Sequence, residues 1–368
     1  MARIAIDATS VAPDGKGISR VQLEAVCQLA ALGLPHELVA FVRTPEAAAL
    51  VEAAGVRAEP TTDRLSIVWE QRGLPQALRR LGIDVLLATT DRLPVLGGRP
   101  TVTWLYEVPT HRIEQNRLHG AGAYQRFADL LTLALWRRSV RAATVVLTGS
   151  QATADELAAK VPGASGKLQV VHPGLDDSFT PGPGPDGRGR YVMHIATSDP
   201  RDNTEIALAA YALALPHLSG DVPLLLPGGT GRREPAVRAE IERLGLAGRV
   251  ELLGRVTDAE LVTLYRGASA YLDPTLFEGF GYQVLEAMAC GAPVVASGTT
   301  SIPEIVGDAG LLCDPADPGA FADALVRVLE EPGLAAELRR RGLERAAGFT
   351  WERAARQIAG ALEEALAA

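Results

Sequence analysis

Residues 277–295 read FEGFGYQVLEAMACGAPVV and join a glycine-rich loop to a helix, a glycine and a strand. Gly279 and Gly281 let the backbone of this loop approach a ligand closely. The helix that follows begins with free N–H groups and the positive end of its dipole, which suit a phosphate. This order of elements predicts an α/β domain that binds its ligand where strands end and helices begin.

The same alternation of short apolar strands and longer helical patterns runs along most of the chain. Strands rich in Val and Leu, without polar alternation, indicate a parallel sheet that is covered on both faces. The predicted strands are 4–6, 38–42, 84–88, 101–105, 144–147, 191–195, 223–226, 250–253, 270–272, 293–296 and 310–312. The pattern favours the α/β class, with doubly wound, Rossmann-like domains.

The length of 368 residues is too great for one hydrophobic core and predicts two domains. Residues 181–189, PGPGPDGRG, contain too much proline and glycine for the interior of an element. We predict an N-terminal domain over 1–178, a linker over 179–190 and a C-terminal domain over 191–350. A last helix is predicted over 351–368, with Thr350 as its N-cap.

Composition excludes several classes of protein. The formal net charge of −8 argues against an extended nucleic-acid interface, which requires concentrated Lys and Arg. Cys27, Cys290 and Cys313 lack the spacing of a zinc or redox site, and we interpret them as buried small residues in a reducing compartment. The apolar start of the chain is too short for a signal peptide, and no run approaches the roughly 18 apolar residues of a membrane span. We expect a cytoplasmic protein.

Two glutamates of the opening stretch are candidate ligand contacts. Glu278 lies in the loop and Glu286 about one turn into the helix, so both can reach one ligand, and carboxylates suit bidentate hydrogen bonds to vicinal hydroxyls. From spacing alone, a common packing unit with solvated glutamates explains the pattern equally well. Farther on, Ser301 to Glu304 has the form of a capping box, so a structural role for Glu304 is at least as good as a functional one.

The spacing and context of Glu278 and Glu286 closely resemble the donor-site motif of family 4 glycosyltransferases. Residues 299–311, TTSIPEIVGDAGL, and residues 254–264, GRVTDAELVTL, resemble neighbouring signatures of that family, and the likeness covers most of residues 145–350. The resemblance implies a retaining enzyme of the GT-B fold, in which two Rossmann-like domains face each other across a cleft. We also expect the C-terminal helix to cross back to the first domain.

The resemblance also implies roles for the residues of the motif. In the family, the first glutamate contacts hydroxyls of the donor sugar and the second contacts the nucleotide ribose. Glu278 is therefore the expected catalytic carboxylate, and Glu286 the expected ribose ligand. The backbone of Phe280, Gly281 and Tyr282 is expected to lie against the donor sugar and the diphosphate.

Residues 196–203, ATSDPRDN, resemble the first loop of the family's C-terminal domain. That loop usually ends Pro-Arg-Lys-Asn, and its lysine binds the donor diphosphate, but Asp202 stands at that position here. Because a carboxylate repels a diphosphate, we expect Arg201 to take the contact, with Thr197 also at the donor. Alternatively, Arg20 and Lys16 supply the charge. Asp202 itself either faces an amino group of the ligand or points to solvent.

The N-terminal half carries the predicted acceptor site. Residues 14–20, DGKGISR, follow the first strand and resemble the family's glycine loop, which helps hold acceptor and phosphate. The candidates there are Gly15, Lys16, Gly17 and Arg20, although a tight strand–helix turn explains Lys16 nearly as well.

Tyr106 and Glu107 follow the strand 101–105, where many relatives carry His-Asp at the catalytic centre. Glu107 can still accept a hydrogen bond from the acceptor, and we count it as a candidate catalytic residue. A histidine general base is missing at this position, which leaves the class of acceptor open. His111 lies close by, but a lone loop histidine is more often solvated.

No metal site and no cofactor are predicted. The chain contains no Asp-x-Asp motif, which argues against a metal clamp on the diphosphate, so helix dipoles and basic side chains would stabilise the leaving group. His172 and His194 are not at ligand spacings and are interpreted as structural.

The sequence thus predicts a metal-independent, retaining, hexosyltransferase-like enzyme that acts on a small-molecule or saccharide hydroxyl and uses a nucleoside-diphosphate sugar as co-substrate. The alternatives are a sugar-nucleotide epimerase or phosphorylase on the same scaffold and a catalytically altered nucleotide-sugar-binding protein. A lipid acceptor is also open, since arginines at positions 126, 137, 138 and 141 flank apolar residues and could suit an anionic membrane surface. A helix packed in the core is the favoured interpretation there. The oligomeric state is left open.

Overall fold

The computed structural model describes residues 1–13, 15, 17–63, 65–95, 98–111, 113 and 122–368, apart from the side chain of Tyr124. Within these residues the chain forms two compact units. The first comprises residues 1–174 and 350–368, and the second comprises residues 175–349.

The first unit contains a seven-stranded parallel sheet in the order β3-β2-β1-β4-β5-β6-β7. Its strands are β1 (Arg3–Asp7), β2 (Glu37–Val42), β3 (Arg57–Pro60), β4 (Val85–Ala88), β5 (Thr101–Leu105), β6 (Val145–Thr148) and β7 (Leu168–Val170). Its helices are α1 (Ile18–Ala31), α2 (Pro45–Ala53), α3 (66–80, with a π-helical turn at Trp69–Gly73), α4 (Ala123–Ala142) and α5 (Gln151–Lys160).

The second unit contains a six-stranded parallel sheet in the order β10-β9-β8-β11-β12-β13. Its strands are β8 (Val192–Met193), β9 (Leu224–Pro227), β10 (Val250–Gly254), β11 (Ala270–Asp273), β12 (Val294–Ser297) and β13 (Gly310–Cys313). Its helices are α6 (Thr204–Ala214), α7 (Glu234–Arg243), α8 (Asp258–Gly267), α9 (Tyr282–Cys290), α10 (Ile302–Val306), α11 (Pro318–Glu330) and α12 (Leu334–Ala346).

Successive residues of the second sheet pack into different apolar layers. Met193 and Tyr271 belong to one layer, and Val192 and Leu272 belong to the other. Because neighbouring side chains on a strand point to opposite faces, the sheet is buried on both sides. This explains the strands' unbroken apolar sequence and confirms the predicted doubly wound class.

The last helix, α13 (Trp351–Ala367), belongs to the first unit although the second unit precedes it in the chain. Thr350 caps it as predicted, since its side chain accepts a hydrogen bond from the Arg353 amide at 3.2 Å. Ile358 and Leu362 are buried on the face that packs against α1 and the first sheet. The expected return of the C-terminal helix to the first domain is therefore observed.

The proline- and glycine-rich residues 179–190 lie inside the second unit. Gly184 lies directly against Gly267, and the Arg266 Nε donates to the Thr180 carbonyl at 2.7 Å. The predicted linker thus packs on helix α8. None of the helices in the described parts of the chain is long and apolar enough to cross a bilayer.

Candidate functional site

The strand order of the second unit places its candidate site. The chain leaves β8 on one side and β11 on the other, so the order of the sheet reverses between these two neighbours. Loops that leave adjacent strands in opposite directions open a crevice at their carboxyl ends, where ligands of doubly wound sheets bind. The loops at this point are 194–203 and 274–281, which include the predicted loop 196–203 and the start of the motif at 277–295.

The backbone of Glu278 is held in place by the loop after β12. The Glu278 amide donates to the Thr300 Oγ1 at 3.1 Å, and the Ser301 Oγ donates to the Glu278 carbonyl at 2.9 Å. Thr300 adopts a positive φ of 53°, which is uncommon for a β-branched residue. Ser301 therefore serves this loop, and the predicted capping box is wrong, because the Ser301 side chain makes no cap bond to α10.

The Glu278 carboxyl is half-buried among other acids. Burial and the nearby Asp273 raise the pKa of Glu278 to about 8, and Arg201 opposes this shift. Asp273 ends β11 and is 3% exposed, and burial together with Asp202 raises its pKa to about 7. A carboxyl poised near neutrality can both accept and donate hydrogen bonds to a hydroxylated ligand.

Glu286 lies one turn into α9 and is also half-buried. The buried hydroxyl of Tyr265 donates to the Glu286 Oε2 at 3.3 Å. Tyr265 packs edge-on against Tyr271, whose hydroxyl donates to the Gln283 side chain at 2.9 Å. The bond from Tyr265 orients the Glu286 carboxylate.

The turn into α9 requires glycine. Gly281 has a φ of 100°, and a Cβ there would lie 2.8 Å from the Ile302 side chain. The neighbouring Phe280 is 7% exposed and packs against Tyr282 and Phe349, with ring centroids at 5.0 and 6.0 Å. Its side chain therefore belongs to the core, and only its backbone is available at the loop surface.

The loop after β8 explains the departure at Asp202. The Thr197 amide donates to the Asp202 Oδ2 at 2.7 Å, and the Thr197 hydroxyl donates to the same oxygen. Asp202 is 9% exposed. Burial raises its pKa to about 6, although the two hydrogen bonds from Thr197 act to lower it. The alternative that Asp202 points to solvent is therefore wrong, because its carboxyl closes this loop on itself.

Arg201 lies between the two loops at this edge. Its Nε is 3.1 Å from the Asp199 Oδ2, and its guanidinium lies 5.8 Å from the centre of the Phe277 ring. Its carbonyl accepts hydrogen bonds from the Leu276 amide at 2.8 Å and the Thr275 hydroxyl at 3.1 Å. The structure thus brings Arg201 to the loop that carries Glu278.

Two residues of this region were missed by the sequence reasoning. One is the buried Asp273, and the other is Arg233, which donates to the Asp199 carbonyl at 3.0 Å and forms an ion pair with Glu205. The signal for Arg233 was the run GGTGRR at 228–233 after an apolar strand. Gly228 in that run has a φ of 118°, and a Cβ there would lie 2.3 Å from the Ala196 carbonyl oxygen.

The sheet of the first unit reverses its order between β1 and β4. Asp7, at the end of β1, is 8% exposed and accepts hydrogen bonds from the Thr9 hydroxyl at 2.7 Å and the Thr89 hydroxyl at 3.3 Å. Tyr106 follows β5, the next strand along. Its hydroxyl is buried without a hydrogen-bond partner among the described residues, and burial and Asp7 raise its pKa above the usual range. Glu107 is half-buried beside it.

The glycine loop that precedes α1 is built around Ser19. Its Oγ accepts a hydrogen bond from the Ala12 amide at 3.0 Å, and a Cβ on Gly15 would lie 1.7 Å from it. Gly17 begins α1 with a φ of 57°. Arg20 lies 3.5 Å from Glu24 on the same helix. Lys16, predicted in this loop, lies outside the described residues.

Two histidines and the three cysteines differ in their contacts and burial. His111 is paired with Glu156 at 2.8 Å, so the expectation of a solvated loop histidine is wrong. His194 is buried, with hydrogen bonds to the Leu272 carbonyl and the Thr204 hydroxyl, in accord with a structural role. Cys290 and Cys313 are buried as expected, but Cys27 is only half-buried.

A largely buried ion pair in the first unit was not predicted from the sequence. The Arg92 guanidinium makes two bonds to the Glu70 carboxylate at 2.7 and 2.8 Å and a third to the Thr132 hydroxyl at 2.8 Å. Glu70 lies in the π-helical turn of α3, a feature that often occurs at functional sites.

Two cavities lie outside these contacts. One of about 450 Å³ lies against α5 and β7 of the first unit, and no predicted site residue lines it. One of about 230 Å³ lies at the ends of β9 and β10, lined by Gly228, Gly229, Thr230 and Gly254 among others.

In the described parts of the chain, no group of three or more His, Cys, Asp or Glu residues is placed to hold a metal ion. The metal-free mechanism stays a prediction.

Both units of the chain match known protein families. Residues 15–179 match Glycosyltransferase Family 4, and residues 189–331 match Glycosyl transferases group 1. Relatives include the O-antigen chain mannosyltransferase B of Escherichia coli, 38% identical over 46% of this chain and 45% of that protein. The D-inositol 3-phosphate glycosyltransferase of Acidothermus cellulolyticus is 33% identical over 62% of this chain and 55% of that protein.

These matches span about half the length of the curated relatives. Among solved structures, Anabaena HepE in complex with UDP-glucose covers 99% of this chain and 100% of its own at a TM-score of 0.70 and 20% identity, a likeness of fold. With both units matched, the chain belongs to the glycosyltransferases of family 4 and group 1 and has the GT-B fold.

Proposed function

We propose that this protein is a retaining glycosyltransferase that moves a sugar from a nucleoside-diphosphate sugar to a hydroxyl of a saccharide or other small-molecule acceptor. It works without a metal ion or a cofactor. The names of the relatives refer to an O-antigen chain and to D-inositol 3-phosphate, which favours a saccharide or other small-molecule acceptor. HepE was solved with UDP-glucose, which favours a nucleoside-diphosphate sugar as the donor.

The observation that carries this proposal is the placement of Glu278. Its backbone is fixed by Thr300 and Ser301, and its carboxyl is half-buried with a pKa raised to about 8. A carboxyl held by the backbone at the start of a helix, and kept from full ionisation, suits hydrogen bonds to sugar hydroxyls beside a phosphate.

The nucleotide is assigned to the same edge of the second sheet. Glu286, oriented by Tyr265, accepts hydrogen bonds from the ribose hydroxyls. The free amides at the start of α9 receive the diphosphate, and Arg201 leaves Asp199 to pair with it. The 230 Å³ cavity beside Gly228 and Gly254 takes the base.

The acceptor is assigned to the first unit, at the end of its central strands. The Tyr106 hydroxyl, which has no partner among the described residues, bonds the acceptor, and Glu107 follows it in the chain. The Gly17 turn after β1 of the same sheet also contributes to this site. Buried polar groups without partners cost free energy unless a ligand satisfies them, so Tyr106 is suited to this contact.

In the transfer step, the acceptor oxygen forms a bond to the anomeric carbon of the donor. The bond from that carbon to the diphosphate oxygen breaks, and the leaving phosphate takes the proton of the acceptor hydroxyl. Arg201 and the amides of α9 stabilise the negative charge that develops on the leaving group.

The proposal is tested by turnover of the Glu278→Gln variant. The preferred donor is first identified by a screen of UDP-, GDP-, dTDP- and ADP-sugars. We expect transfer from that donor to fall at least about 100-fold, since the amide cannot replace the carboxyl in its hydrogen bonds to the donor sugar. The assay contains EDTA and measures both the glycosylated product and the released nucleotide.

The matched control is Glu331→Gln, the same substitution on an exposed residue of the same unit. Undiminished turnover of the Glu278 variant would reject the assignment. Nucleotide release without an acceptor would indicate an epimerase or phosphorylase, and donor binding without any transfer would favour a nucleotide-sugar-binding protein.

A further inference from the structure

Helix α4 of the first unit has one face that nothing in the described chain covers. Phe127 is 58% exposed and Leu130 is 61% exposed, the two largest such values among the large apolar side chains after Met1. They lie three residues apart, so both project from the same side of the helix. A monomeric protein rarely places two such side chains together in water without a use for them.

The same face is basic. Arg137, Arg138 and Arg141 are exposed at the next turns along this side of α4 and form no ion pair with another described residue. The helix contains a single acid, Asp129, which is 5% exposed and accepts a hydrogen bond from Gln125 at 2.9 Å. The exposed face of α4 therefore carries positive charge with no carboxylate, although the whole chain has a net charge of −8.

Neighbouring segments extend this surface. Arg138 donates to the Val95 carbonyl at 2.7 Å, which fixes the loop 93–95 beside α4, and Val95 is 43% exposed. The Gln71 side chain accepts from the Val95 amide at 3.0 Å, and Val68, one turn earlier in α3, is 36% exposed. We call the set Val68, Val95, Phe127, Leu130 and Arg137, Arg138 and Arg141 the α4 face.

We propose that the α4 face docks on an anionic lipid surface, with the aromatic and aliphatic side chains entering the interface and the arginines pairing with lipid phosphates. Apolar side chains flanked by arginines on one helix side are the pattern of interfacial helices. Arginine suits phosphate because its planar guanidinium donates two parallel hydrogen bonds.

A second copy of the chain suits this face less well. In a two-fold dimer through the α4 face, each partner presents the same residues, and the arginines of one copy would meet no carboxylate of the other. A lipid surface supplies the negative charge that this face lacks.

The test is co-sedimentation of the full chain with vesicles in the absence of any sugar donor, so it does not depend on glycosyl transfer. We expect binding to vesicles of phosphatidylcholine and phosphatidylglycerol in equal parts, weak binding to phosphatidylcholine alone, and weakening by salt. Arg137→Gln with Arg138→Gln should reduce binding about 25-fold, at about five-fold per arginine. Phe127→Glu with Leu130→Glu should abolish it.

Two control variants make the same changes on the second unit. Leu213→Glu alters another exposed leucine, and Arg238→Gln with Arg243→Gln removes two exposed charges of α7. Both should bind as the parent does. The arginine variant lies wholly on the surface, so it remains informative if the glutamate variant fails to fold.

The proposal is overturned if the parent does not bind anionic vesicles, or if all variants bind equally. It is also overturned if light scattering shows a dimer that the Phe127 and Leu130 changes dissociate while vesicles leave the parent in solution. That result would make the face a contact between copies.

Discussion

At the residue scale, Glu278 shows what the sequence can predict and what it cannot. Its position before a helix and its spacing from Glu286 were readable from the motif. Its environment was not, because Asp202 reaches it from the loop after β8, and neither this approach nor the burial of the nearby Asp273 leaves a local sequence pattern. The hydrogen bond from Thr197 to Asp202 joins residues of one loop, but it depends on the conformation of that loop, which the sequence did not predict.

The acids around Glu278 should lower stability as they ionise. The pKa of Glu278 is raised from its ordinary 4.5 to about 8. Its penalty is therefore absent below about pH 4.5 and grows until the pH passes 8. We expect Glu278→Gln to melt with the parent at pH 5 and to be more stable at pH 9 by about 2 kcal/mol, or about 4–8 °C. Scanning calorimetry across this range measures it, and a variant no more stable than the parent at pH 9 would contradict the account.

Tyr106 allows its two roles to be separated. Its buried hydroxyl lacks a partner among the described residues, so Tyr106→Phe should leave stability unchanged or raise it by up to about 1 kcal/mol. If the hydroxyl bonds the acceptor, the same change lowers kcat/KM for the acceptor about 10-fold with the donor KM unaltered. Denaturant unfolding and steady-state kinetics are the two measurements, and an unchanged acceptor kcat/KM would remove Tyr106 from the site.

At the scale of elements, the apolar strands were predictable and the two edge strands of the first sheet were not. The eleven predicted strands all occur, including the edge strands β10 and β13 of the second sheet, because each contains an apolar run. Strands β3 and β7 were missed. Both lie at sheet edges, where side chains face water, and β3 carries Arg57 and Glu59 in a sequence with no apolar signal.

The glycine that turns the loop into α9 can be tested at this scale. Gly281→Ala combines a positive φ with a contact of 2.8 Å to Ile302, so it should destabilise the protein by about 1–3 kcal/mol. Gly360 lies inside α13 with open space at its Cβ position, and Gly360→Ala should stabilise by about 0.5–1 kcal/mol. Urea unfolding of the two variants compares them, and an unaffected Gly281→Ala would mean that the loop relaxes freely.

At the scale of the whole molecule, the chain begins and ends in its first unit. The closing helix α13 is anchored by His36, 2.7 Å from Glu363, and by Gln169, which donates to Glu364 at 2.7 Å. Length and composition predicted two domains and the strand–helix alternation predicted their type. The packing of the C-terminal helix on the first unit depends on long-range contacts that local sequence patterns do not predict. The resemblance to a family supplied the expectation that this helix returns to the first domain.

The central claim is that the second unit binds the nucleotide of the donor through the loops 194–203 and 274–286. Hydrogen–deuterium exchange of the full chain, with UDP, GDP, dTDP or ADP in the presence of EDTA, tests it most directly. We predict slower exchange in those two loops with one diphosphate and no metal. Slower exchange only in the first unit, or none with any of the four, would contradict the account.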